Sequence, residues 1–290
     1  MLIVHKIENT HFSQSEALII DYILEHSEAI AHMSVSAIAK ATYTSAPLLI
    51  RIAKKLGYSG WNEFKEAYLK ELEYIYTTSD IDASVPFVVS DDFMTIAHNI
   101  GQLEMETIQD TMNLLDHDDF QKAMRLLRDV QEIDVYGVSN NMLLAEEFAE
   151  KMFFIRKNVH ICRLTGDARA QAVMSNEDHC AILISYSGET HFIRNVAKIL
   201  KQKGTPIIAI TSIADNHLSQ VADVTLRMSS REMLTTKIGD FASSQSVKYL
   251  LDILYGAIFS LNYKHNLDRK IKLAKEVDDR TSGFEYIDEE

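Results

Sequence analysis

Cysteine and long hydrophobic runs are the scarcest features of this sequence. The two cysteines, Cys162 and Cys180, do not form a C-x-x-C pair and lie in or beside apolar strand-like segments, so we expect reduced thiols in a protein core. No apolar run approaches the roughly 18 residues that span a membrane. The N-terminus lacks the basic region and cleavage site of a signal peptide. We therefore expect a cytoplasmic protein without a membrane partner.

Nucleotide and metal motifs are also missing. Neither G-x-G-x-x-G nor the P-loop G-x-x-x-x-G-K-[ST] occurs, which removes the commonest dinucleotide and nucleoside-triphosphate functions. The 11 histidines show no H-x-x-x-H pair and no cluster with cysteine. We expect neither a metal nor an organic cofactor.

Acidic residues are absent from one stretch of an otherwise acidic chain. The formal net charge is -13, yet residues 29–62 contain no Asp or Glu and carry Lys40, Arg51, Lys54 and Lys55. Binding to a phosphate backbone requires such a basic island, although a solvated surface would also account for it. The total charge argues against a protein coated in nucleic acid, and the local charge allows one DNA-binding surface.

The first 76 residues have the pattern of short helices. Ser13 to Glu16 form a capping box, Ser34 is placed to cap a second helix, and a third is expected from Ser45 to Leu56, before Gly57. Short helices joined by a turn of about four residues are typical of a helix-turn-helix. A three-helix bundle, or a module used only for assembly, has the same spacing.

The third predicted helix has one apolar face and one basic face. Leu49, Ile52, Ala53 and Leu56 fall on the face that is expected to pack inward. The opposite face would lie in a major groove, with its cations at phosphates or base edges and a leucine at thymine methyl groups. The candidate DNA-binding residues are Ser45, Leu48, Arg51, Lys54 and Lys55.

Short apolar runs alternate with helix-like segments in the second half of the chain. This alternation predicts a mostly parallel sheet with helices on both faces, and in such folds ligands bind beyond the carboxyl ends of the strands. The expected strands are Ile133–Gly137, Val159–Leu164, Ala181–Ser185, Pro206–Thr211 and Val224–Met228.

A polar loop follows the third of these strands. Ser185 to Thr190 contains four hydroxyls and one glycine, and a helix pattern begins at His191. Free backbone N–H groups and the positive end of the helix dipole favour an anion there, and hydroxyls can donate further hydrogen bonds to phosphate. The loop is a candidate phosphate site built without lysine, and an ordinary capped turn is the alternative.

A second polar loop follows the first strand. Tyr136 to Ser139 ends that strand and opens another helix, so the Ser139 hydroxyl would meet the same ligand. The alternative is that Ser139 or Asn140 only caps the helix.

Both loops resemble known sequences. Ser185 to Thr190 resembles the S-x-S-G-x-T phosphosugar loop of the sugar isomerase (SIS) domain, and Tyr136 to Ser139 resembles its first glycine-serine loop. Residues 51–60, with Phe64 and Lys65, are similar to the helix-turn-helix domain of the RpiR transcription regulators. The two matches cover most of the chain and stand in the order of that family.

The resemblance implies a fold and a domain organisation. An all-α helix-turn-helix domain would be followed by a doubly wound α/β SIS domain with a five-stranded, mostly parallel sheet. The expected boundaries are residues 1–76 for the DNA-binding domain, 77–105 for a linker, 106–265 for the SIS domain and 266–290 for a C-terminal helix and acidic tail.

The resemblance also implies a function and its residues. The chain would be a cytoplasmic homo-oligomer, a dimer or tetramer, that binds operator DNA and senses a sugar phosphate. By matching positions, the phosphate would be held by Ser139, Ser185, Ser187 and Thr190. The backbone amides of Tyr186, Gly188 and Glu189 would assist, and Ser243, which opens the long C-terminal helix, would approach the sugar.

Two segments depart from the family pattern. Leu48 stands where many members have threonine, and Pro47 and Ile52 also differ from the usual residues, so the operator sequence is not implied. Asp167-Ala168-Arg169 replaces a frequent Asp-x-His, which allows a different sugar.

A catalytic SIS protein, an isomerase or a lyase, is the alternative function. Such an enzyme needs a general base near the sugar, and the local candidates are Glu146, Glu147, Glu189 and His191. An attached DNA-binding domain favours a sensor, which needs affinity and coupling but no turnover. We therefore expect a non-enzymatic regulator, a repressor of sugar or amino-sugar metabolism genes that the ligand relieves.

Overall fold

The computed structural model describes residues 3–8, 10–31, 33–76, 81–162 and 165–277. Within them the N-terminal part consists of helices α1 (Ile3–Glu8), α2 (Gln14–Glu25), α3 (Ser27–Ile30), α4 (Val35–Ala41), α5 (Ala46–Lys55) and α6 (Trp61–Tyr76). Two longer helices follow, α7 (Phe93–Leu114) and α8 (His117–Asp129). Strands and helices then alternate as β1 (Glu132–Tyr136), α9 (Asn140–Phe153), β2 (Asn158–Ile161), α10 (Thr165–Met174), β3 (His179–Ser185), α11 (His191–Lys203), β4 (Ile207–Thr211), α12 (His217–Val221) and β5 (Val224–Arg227). The described part ends with α13 (Phe241–Ser260) and α14 (Tyr263–Val277).

Local capping sets the N-terminal helices where the sequence predicts them. The Ser13 amide donates to the Glu16 carboxylate at 2.8 Å, and the Ala37 amide donates to the Ser34 hydroxyl at 3.2 Å. Helix α5 has Pro47 in its first turn, and the chain leaves it through Gly57 at a φ of 94°. The expected order of helix, turn and helix is therefore confirmed.

The sheet is parallel throughout, with strand order β2-β1-β3-β4-β5. Its five strands match the five predicted ones, although Arg163 and Leu164 at the end of the second predicted strand lie outside the described residues. The chain crosses from β1 to β2 on one side and then continues from β3 on the other. The carboxyl ends of β1 and β3 therefore flank the point where such sheets bind ligands.

Separate groups of buried residues stabilise the two parts of the chain. One core fills the N-terminal helices and contains Ile19, Ile23, Leu49, Ile52 and Phe64. Two others cover the two faces of the sheet, one against α9 and α13 and one against α10 and α11. Cys180 is buried in the sheet, Cys162 is half-buried, and neither cysteine forms a disulfide, as expected.

The predicted linker is wrong at its C-terminal end. Residues 93–105 belong to α7, whose first turn is capped by the Asp92 carboxylate accepting from the Met94 and Thr95 amides. This helix packs on α13, where the Thr111 and Ser246 hydroxyls lie 2.8 Å apart. Amphipathic pattern continues across residue 105 without a break, so no domain boundary lies there. The C-terminal helix begins at 263 rather than 266, and the acidic tail from 278 lies outside the described residues.

Candidate functional site

Residues 186–190 connect β3 to α11 at the carboxyl end of the sheet. The chain turns tightly because the Gly188 amide donates to the Ser185 carbonyl at 3.1 Å. The first hydrogen bond of α11 runs from the Arg194 amide to the Thr190 carbonyl at 3.0 Å. The amides that precede Arg194 in this first turn have no acceptor within the helix. Strand, polar loop and helix N-terminus thus follow in the predicted order.

Hydroxyl groups line this turn. The Ser185 and Thr190 hydroxyl oxygens lie 2.9 Å apart, and the Ser187 hydroxyl accepts from the Glu189 amide at 3.1 Å. The Thr190 side chain makes no capping bond to α11, so a Ser/Thr cap does not describe it. A hydroxyl offers one donor and two acceptor sites, and these hydrogen bonds leave capacity for a ligand. The amides of Gly188 and Glu189 already donate within the loop, which leaves the first turn of α11 as the nearest source of backbone donors.

Gly188 is required by both backbone and neighbours. Its φ is 67°, and a Cβ built there would lie 1.9 Å from Oδ1 of Asn216. Asn216 is held in place because its side-chain amide donates to the Thr211 hydroxyl at 3.0 Å and to the Ala214 carbonyl at 3.1 Å. The loop after β4 therefore packs directly on the loop after β3. The sequence shows the glycine but not the asparagine that faces it.

Glu189 faces away from the turn. Its carboxylate accepts from the His217 amide at 2.7 Å, at the start of α12, and lies 3.5 Å from the Arg194 guanidinium. The predicted phosphate contact of Glu189 is its backbone amide. Its carboxylate is directed to the start of α12 instead. That orientation lowers the repulsion that a carboxylate would exert on an anion in the loop.

Ser139 lies at the end of β1, next to β3 in the sheet. It precedes α9 with φ 52° and ψ -127°, and its side chain makes no capping bond. A non-glycine residue in this region costs about 1–3 kcal/mol and is frequent at functional sites. The exposed hydroxyl is available at the edge shared with the loop of residues 186–190.

A cavity of about 710 Å³ opens beside the loop of residues 186–190, on the side of β4 and β5. Neither Ser139 nor Ser243 contributes to its lining. The wall comes from three loops and from one residue of the N-terminal domain: Lys6, Tyr186, Ser187, Glu189, Thr190, Ser212, Ile213, Ala214, Asp215, Asn216, Ser230, Glu232, Met233 and Leu234. We call this space the loop cavity.

Ser243 contacts a buried carboxylate rather than the cavity. Its hydroxyl donates to Glu232 at 2.7 Å, and the same carboxylate accepts from the amides of Ala242 at 2.5 Å and Ser243 at 3.0 Å and from Lys237 at 2.7 Å. The Tyr186 hydroxyl donates to the Glu232 carbonyl at 2.6 Å. Glu232 thus satisfies the N-terminus of α13 and connects it to the loop after β3. No sequence motif singles it out, because its partners come from tertiary contacts.

The second candidate surface is the exposed face of α5. Leu49, Ile52, Ala53 and Leu56 are buried, which confirms the predicted inward face. Leu48 is half-buried against the N-terminal core rather than fully outward. Ser45, Arg51, Lys54 and Lys55 are exposed.

Two of these cations pair with Glu16 of α2. Its carboxylate lies 3.2 Å from Nε of Arg51 and 3.0 Å from Nζ of Lys55. The Ser13 amide and the Lys55 ammonium lower the pKa of Glu16 to about 2, and burial opposes them. Arg51 keeps 67% of its side chain exposed and Lys55 keeps 35%. Lys54 has no ion pair among the described residues, so it is the cation of this face most available to a phosphate.

The candidate general bases are scattered. Glu147 lies 2.7 Å from Lys151 and 2.5 Å from Lys248, and hydrogen bonds from these two ammonium groups lower its pKa. A base that abstracts a proton from a sugar carbon needs a pKa closer to neutral. Glu146 is half-buried on α9, and the exposed His191 ring lies 3.3 Å from the Asn195 amide.

The described residues contain no group of three or more His, Cys, Asp and Glu side chains placed to hold a metal ion. None of the helices in the described ranges is long and apolar enough to cross a membrane.

Comparison with known proteins finds a family match in each half of the chain. Residues 1–74 match the helix-turn-helix domain of the rpiR family, and residues 126–244 match the SIS domain. An uncharacterized HTH-type transcriptional regulator of Clostridium perfringens is 28% identical over 96% of this chain and 99% of its own length. The match therefore extends over both domains.

Solved structures share the fold. The Vibrio vulnificus NanR protein complexed with ManNAc-6P has a TM-score of 0.60 and 22% identity, covering 97% of this chain and 100% of its own. A phosphoheptose isomerase from Francisella tularensis has a TM-score of 0.50 and 16% identity, covering 59% of this chain and 100% of its own. The fold of the α/β part is thus shared with the isomerase, and the Vibrio vulnificus protein shares the fold over nearly the whole chain. The chain belongs to the RpiR family of DNA-binding transcription regulators, with an N-terminal helix-turn-helix domain and an SIS domain.

Proposed function

We propose that this regulator is controlled by a sugar phosphate bound at the SIS domain, and that it represses genes of sugar or amino-sugar metabolism in the cytoplasm. The observation that carries the proposal is the hydroxyl-lined loop of residues 186–190, which delivers Ser187 and Thr190 to the N-terminus of α11 beside the loop cavity. A helix N-terminus with free amides and hydroxyls suits a phosphate. Ser139, which follows the neighbouring strand β1, would contribute a further hydroxyl at this end of the sheet.

The fold neighbour from Vibrio vulnificus supports the class of ligand, since that protein is described as complexed with ManNAc-6P. We propose an effector of the same class for this chain, either a phosphorylated sugar or a phosphorylated amino sugar. The loop of residues 186–190 would contact the phosphate group, which all of these ligands share. The preference for one sugar would therefore depend on the other residues that line the site.

Sensing without turnover is the role we propose for the SIS domain. Glu147 has a lowered pKa because of its lysine partners, and Glu189 is bound to the start of α12. His191 lies exposed on α11. Glu147 and His191 do not line the loop cavity, and the Glu189 carboxylate, which does, is already held by the His217 amide and Arg194. Incubation with sugar phosphates should leave them unchanged, and detection of an isomerised or cleaved product by NMR would favour the enzyme instead.

Calorimetric titration tests the sensor. We expect one or more sugar phosphates to bind the wild-type protein and Ser187→Ala to weaken binding about tenfold, the value of roughly one charge-assisted hydrogen bond. Ser260→Ala is the matched control, because that hydroxyl donates to the Ala257 carbonyl far along the chain from the loop. Equal binding of the unphosphorylated sugar would rule out the phosphate site.

DNA binding by α5 has its own test. Gel shifts on DNA from the gene's promoter region should show that replacing Arg51 and Lys54 together by alanine weakens binding and lowers the slope of log affinity against log salt by about two. Lys272→Ala on α14 is the control, since it removes one exposed lysine from the other domain. Unaltered binding by the double variant would sink the recognition-helix assignment.

Coupling between the domains requires that the effector bind the DNA-free and DNA-bound arrangements of a homo-oligomer with different affinity. We propose that the effector favours the arrangement that releases DNA. Addition of the binding sugar phosphate should then lower the affinity for promoter DNA, and an unchanged affinity would contradict the coupling.

A further inference from the structure

The loop cavity receives one side chain from the N-terminal domain. Lys6, on α1, lines it together with Ser187, Glu189 and Thr190 of the SIS domain. We propose that Lys6 supplies a cation to the bound sugar phosphate, so that one effector molecule contacts both domains. The inference rests on the proposed function. It adds a second contact to the phosphate, besides the loop of residues 186–190, which contains no lysine or arginine.

The charges around the cavity favour this role for Lys6. Three carboxylates share the lining, and each has donors: Glu232 has Lys237 and the start of α13, Glu189 has the His217 amide, and Asp215 has Ser219 and Gln220. Lys6 forms no ion pair among the described residues, and its Nζ lies 5.4 Å from the centroid of the Tyr58 ring. Among the lining residues it is the cation. An anion that enters the cavity therefore gains most from Lys6.

Lys6 has the flexibility that this role requires. A lysine carries its ammonium and three donors on a flexible four-carbon stem, and its present contact with the Tyr58 ring is a cation–π contact rather than an ion pair. Lys6 is half-buried at the edge of the cavity. Rotation about its side-chain bonds is therefore the movement by which the ammonium would approach a bound phosphate.

A contact at Lys6 would act directly on the DNA-binding domain, because α1 packs into the core of that domain. Ile3 and Ile7, on the same helix, are 5% and 4% exposed and belong to the core of the N-terminal domain. A second cavity of about 630 Å³ lies between the domains and is lined by Lys6 and Tyr58 on one side. Its other side includes residues 213–215, which also line the loop cavity. The effector would therefore contact the SIS-domain lining of the loop cavity and helix α1. The relative position of these two elements depends on how the two domains are arranged.

Binding and coupling of Lys6→Gln test the inference. We would titrate the full-length protein with N-acetylmannosamine 6-phosphate and with glucose 6-phosphate, and carry forward the tighter ligand. Lys6→Gln should weaken its binding about tenfold, as expected for loss of a charge-assisted contact. The matched control is Lys203→Gln at the exposed end of α11, which removes the same charge away from the loop cavity.

A second readout separates coupling from simple loss of affinity. Without ligand, Lys6→Gln should bind promoter DNA within about twofold of wild type, because Lys6 lies outside the exposed face of α5. Thermodynamic linkage makes the effect of ligand on DNA equal to the effect of DNA on ligand. The change in DNA affinity at saturating ligand should therefore shrink in Lys6→Gln and stay unchanged in Lys203→Gln.

The outcomes distinguish this inference from the proposed function. If Ser187→Ala loses the ligand while Lys6→Gln binds it and responds on DNA within twofold of wild type, the role of Lys6 is overturned and the sensor stands. Equal weakening in Lys6→Gln and Lys203→Gln would also overturn it, since only the total charge would then matter. If neither these two compounds nor any other of a broad panel of sugar phosphates binds the wild-type protein, both proposals are overturned together.

Discussion

At the scale of single residues, Gly188 is the most constrained position of the candidate effector site. It combines a positive φ with direct contact to Asn216, and a Cβ would approach Oδ1 of that side chain to 1.9 Å. Gly204, after α11, has a φ of 75° but nothing within 4 Å of its Cβ position. The two glycines share the backbone requirement and differ in the space available.

That contrast gives a matched pair of variants. Gly204→Ala should cost only the backbone strain, about 1–2 kcal/mol. Gly188→Ala should cost that amount and also displace Asn216, so that the loop after β4 shifts and sugar-phosphate binding is lost. Chemical unfolding and calorimetric titration of both variants check the prediction. Retained ligand affinity in Gly188→Ala would show that the packing of the two loops does not shape the site.

Glu16 is the second residue whose chemistry can be isolated. Its folded-state pKa of about 2 lies below the ordinary glutamate value of 4.5, because the Ser13 amide and Lys55 favour the charged carboxylate. A depressed carboxylate pKa adds stability that is present above the unfolded-state value and is lost as pH falls through the folded-state value. The contribution is therefore complete at neutral pH and disappears between about pH 4.5 and pH 2.

We predict that Glu16→Gln lowers the free energy of unfolding of the N-terminal domain by about 1–2 kcal/mol at pH 7, because both cation partners remain partly solvated. Near pH 2 the variant and the wild type should differ much less. Glu25→Gln, on the exposed face of the same helix, is the control and should change stability little at either pH. Urea unfolding followed by circular dichroism provides the measurement. A loss of stability that is the same at both pH values would contradict the assigned ion pairs.

At the scale of secondary-structure elements, a buried ion cluster joins α7 to the loop after β5. Arg231 lies 2.5 Å from Asp110 and 2.7 Å from Glu106, and the side chains of Arg231 and Asp110 are only 6% and 5% exposed. Burial raises the pKa of Asp110, and the Arg231 guanidinium opposes that rise. The same loop carries Glu232, so this cluster fixes a wall of the loop cavity from behind.

Removal of Arg231 should therefore be expensive. Arg231→Ala leaves two carboxylates beside each other in a desolvated place, and we predict a loss of about 3 kcal/mol or more. Lys272→Ala breaks an exposed pair with Glu276 at 3.8 Å and should cost no more than about 0.5 kcal/mol. Thermal unfolding of the two variants compares a buried with an exposed ion pair. Similar small losses would indicate that α7 is held by its apolar contacts alone.

Helix α7 itself shows how far element prediction reaches. The amphipathic pattern from Phe93 predicts the helix, and the Asp92 carboxylate caps its start. The predicted domain boundary at residue 105 falls inside α7. Composition shows where polar residues are frequent, but it does not show against which element a helix packs. Contact with α13 decides that α7 belongs with the sheet.

At the scale of the whole molecule, the buried hydrophobic clusters of the described residues fall into two regions of the chain that do not overlap. One cluster lies within residues 3–68, and the other three lie beyond residue 82. Because cooperative unfolding follows a shared core, we predict two calorimetric transitions. A binding sugar phosphate at 100 times its Kd should stabilise the SIS transition by about 2.7 kcal/mol.

The variants described above assign the transitions. Glu16→Gln should lower only the N-terminal one and Arg231→Ala only that of the SIS domain. A single transition that both variants lower would mean that contacts between the domains, such as those near Lys6, make the molecule one cooperative unit.

By itself, the sequence determined what depends on neighbours along the chain. Periodicity located the five strands and the inward face of α5, and the order of hydroxyls, glycine and helix start located the loop of residues 186–190. These features follow from local hydrogen bonding and from the two periods of buried side chains. The family resemblance added the binding roles, which the geometry leaves as proposals.

Only the tertiary structure decided which distant groups meet. Glu16 forms ion pairs with Arg51 and Lys55, and Asn216 packs against Gly188. Glu232 accepts hydrogen bonds from the N-terminus of α13. Lys6 reaches the loop cavity from another domain. These contacts join residues from different elements, and no local pattern in the sequence pairs them. These contacts are determined by burial and by the pairing of opposite charges. Both depend on the fold of the whole chain and not on the local sequence.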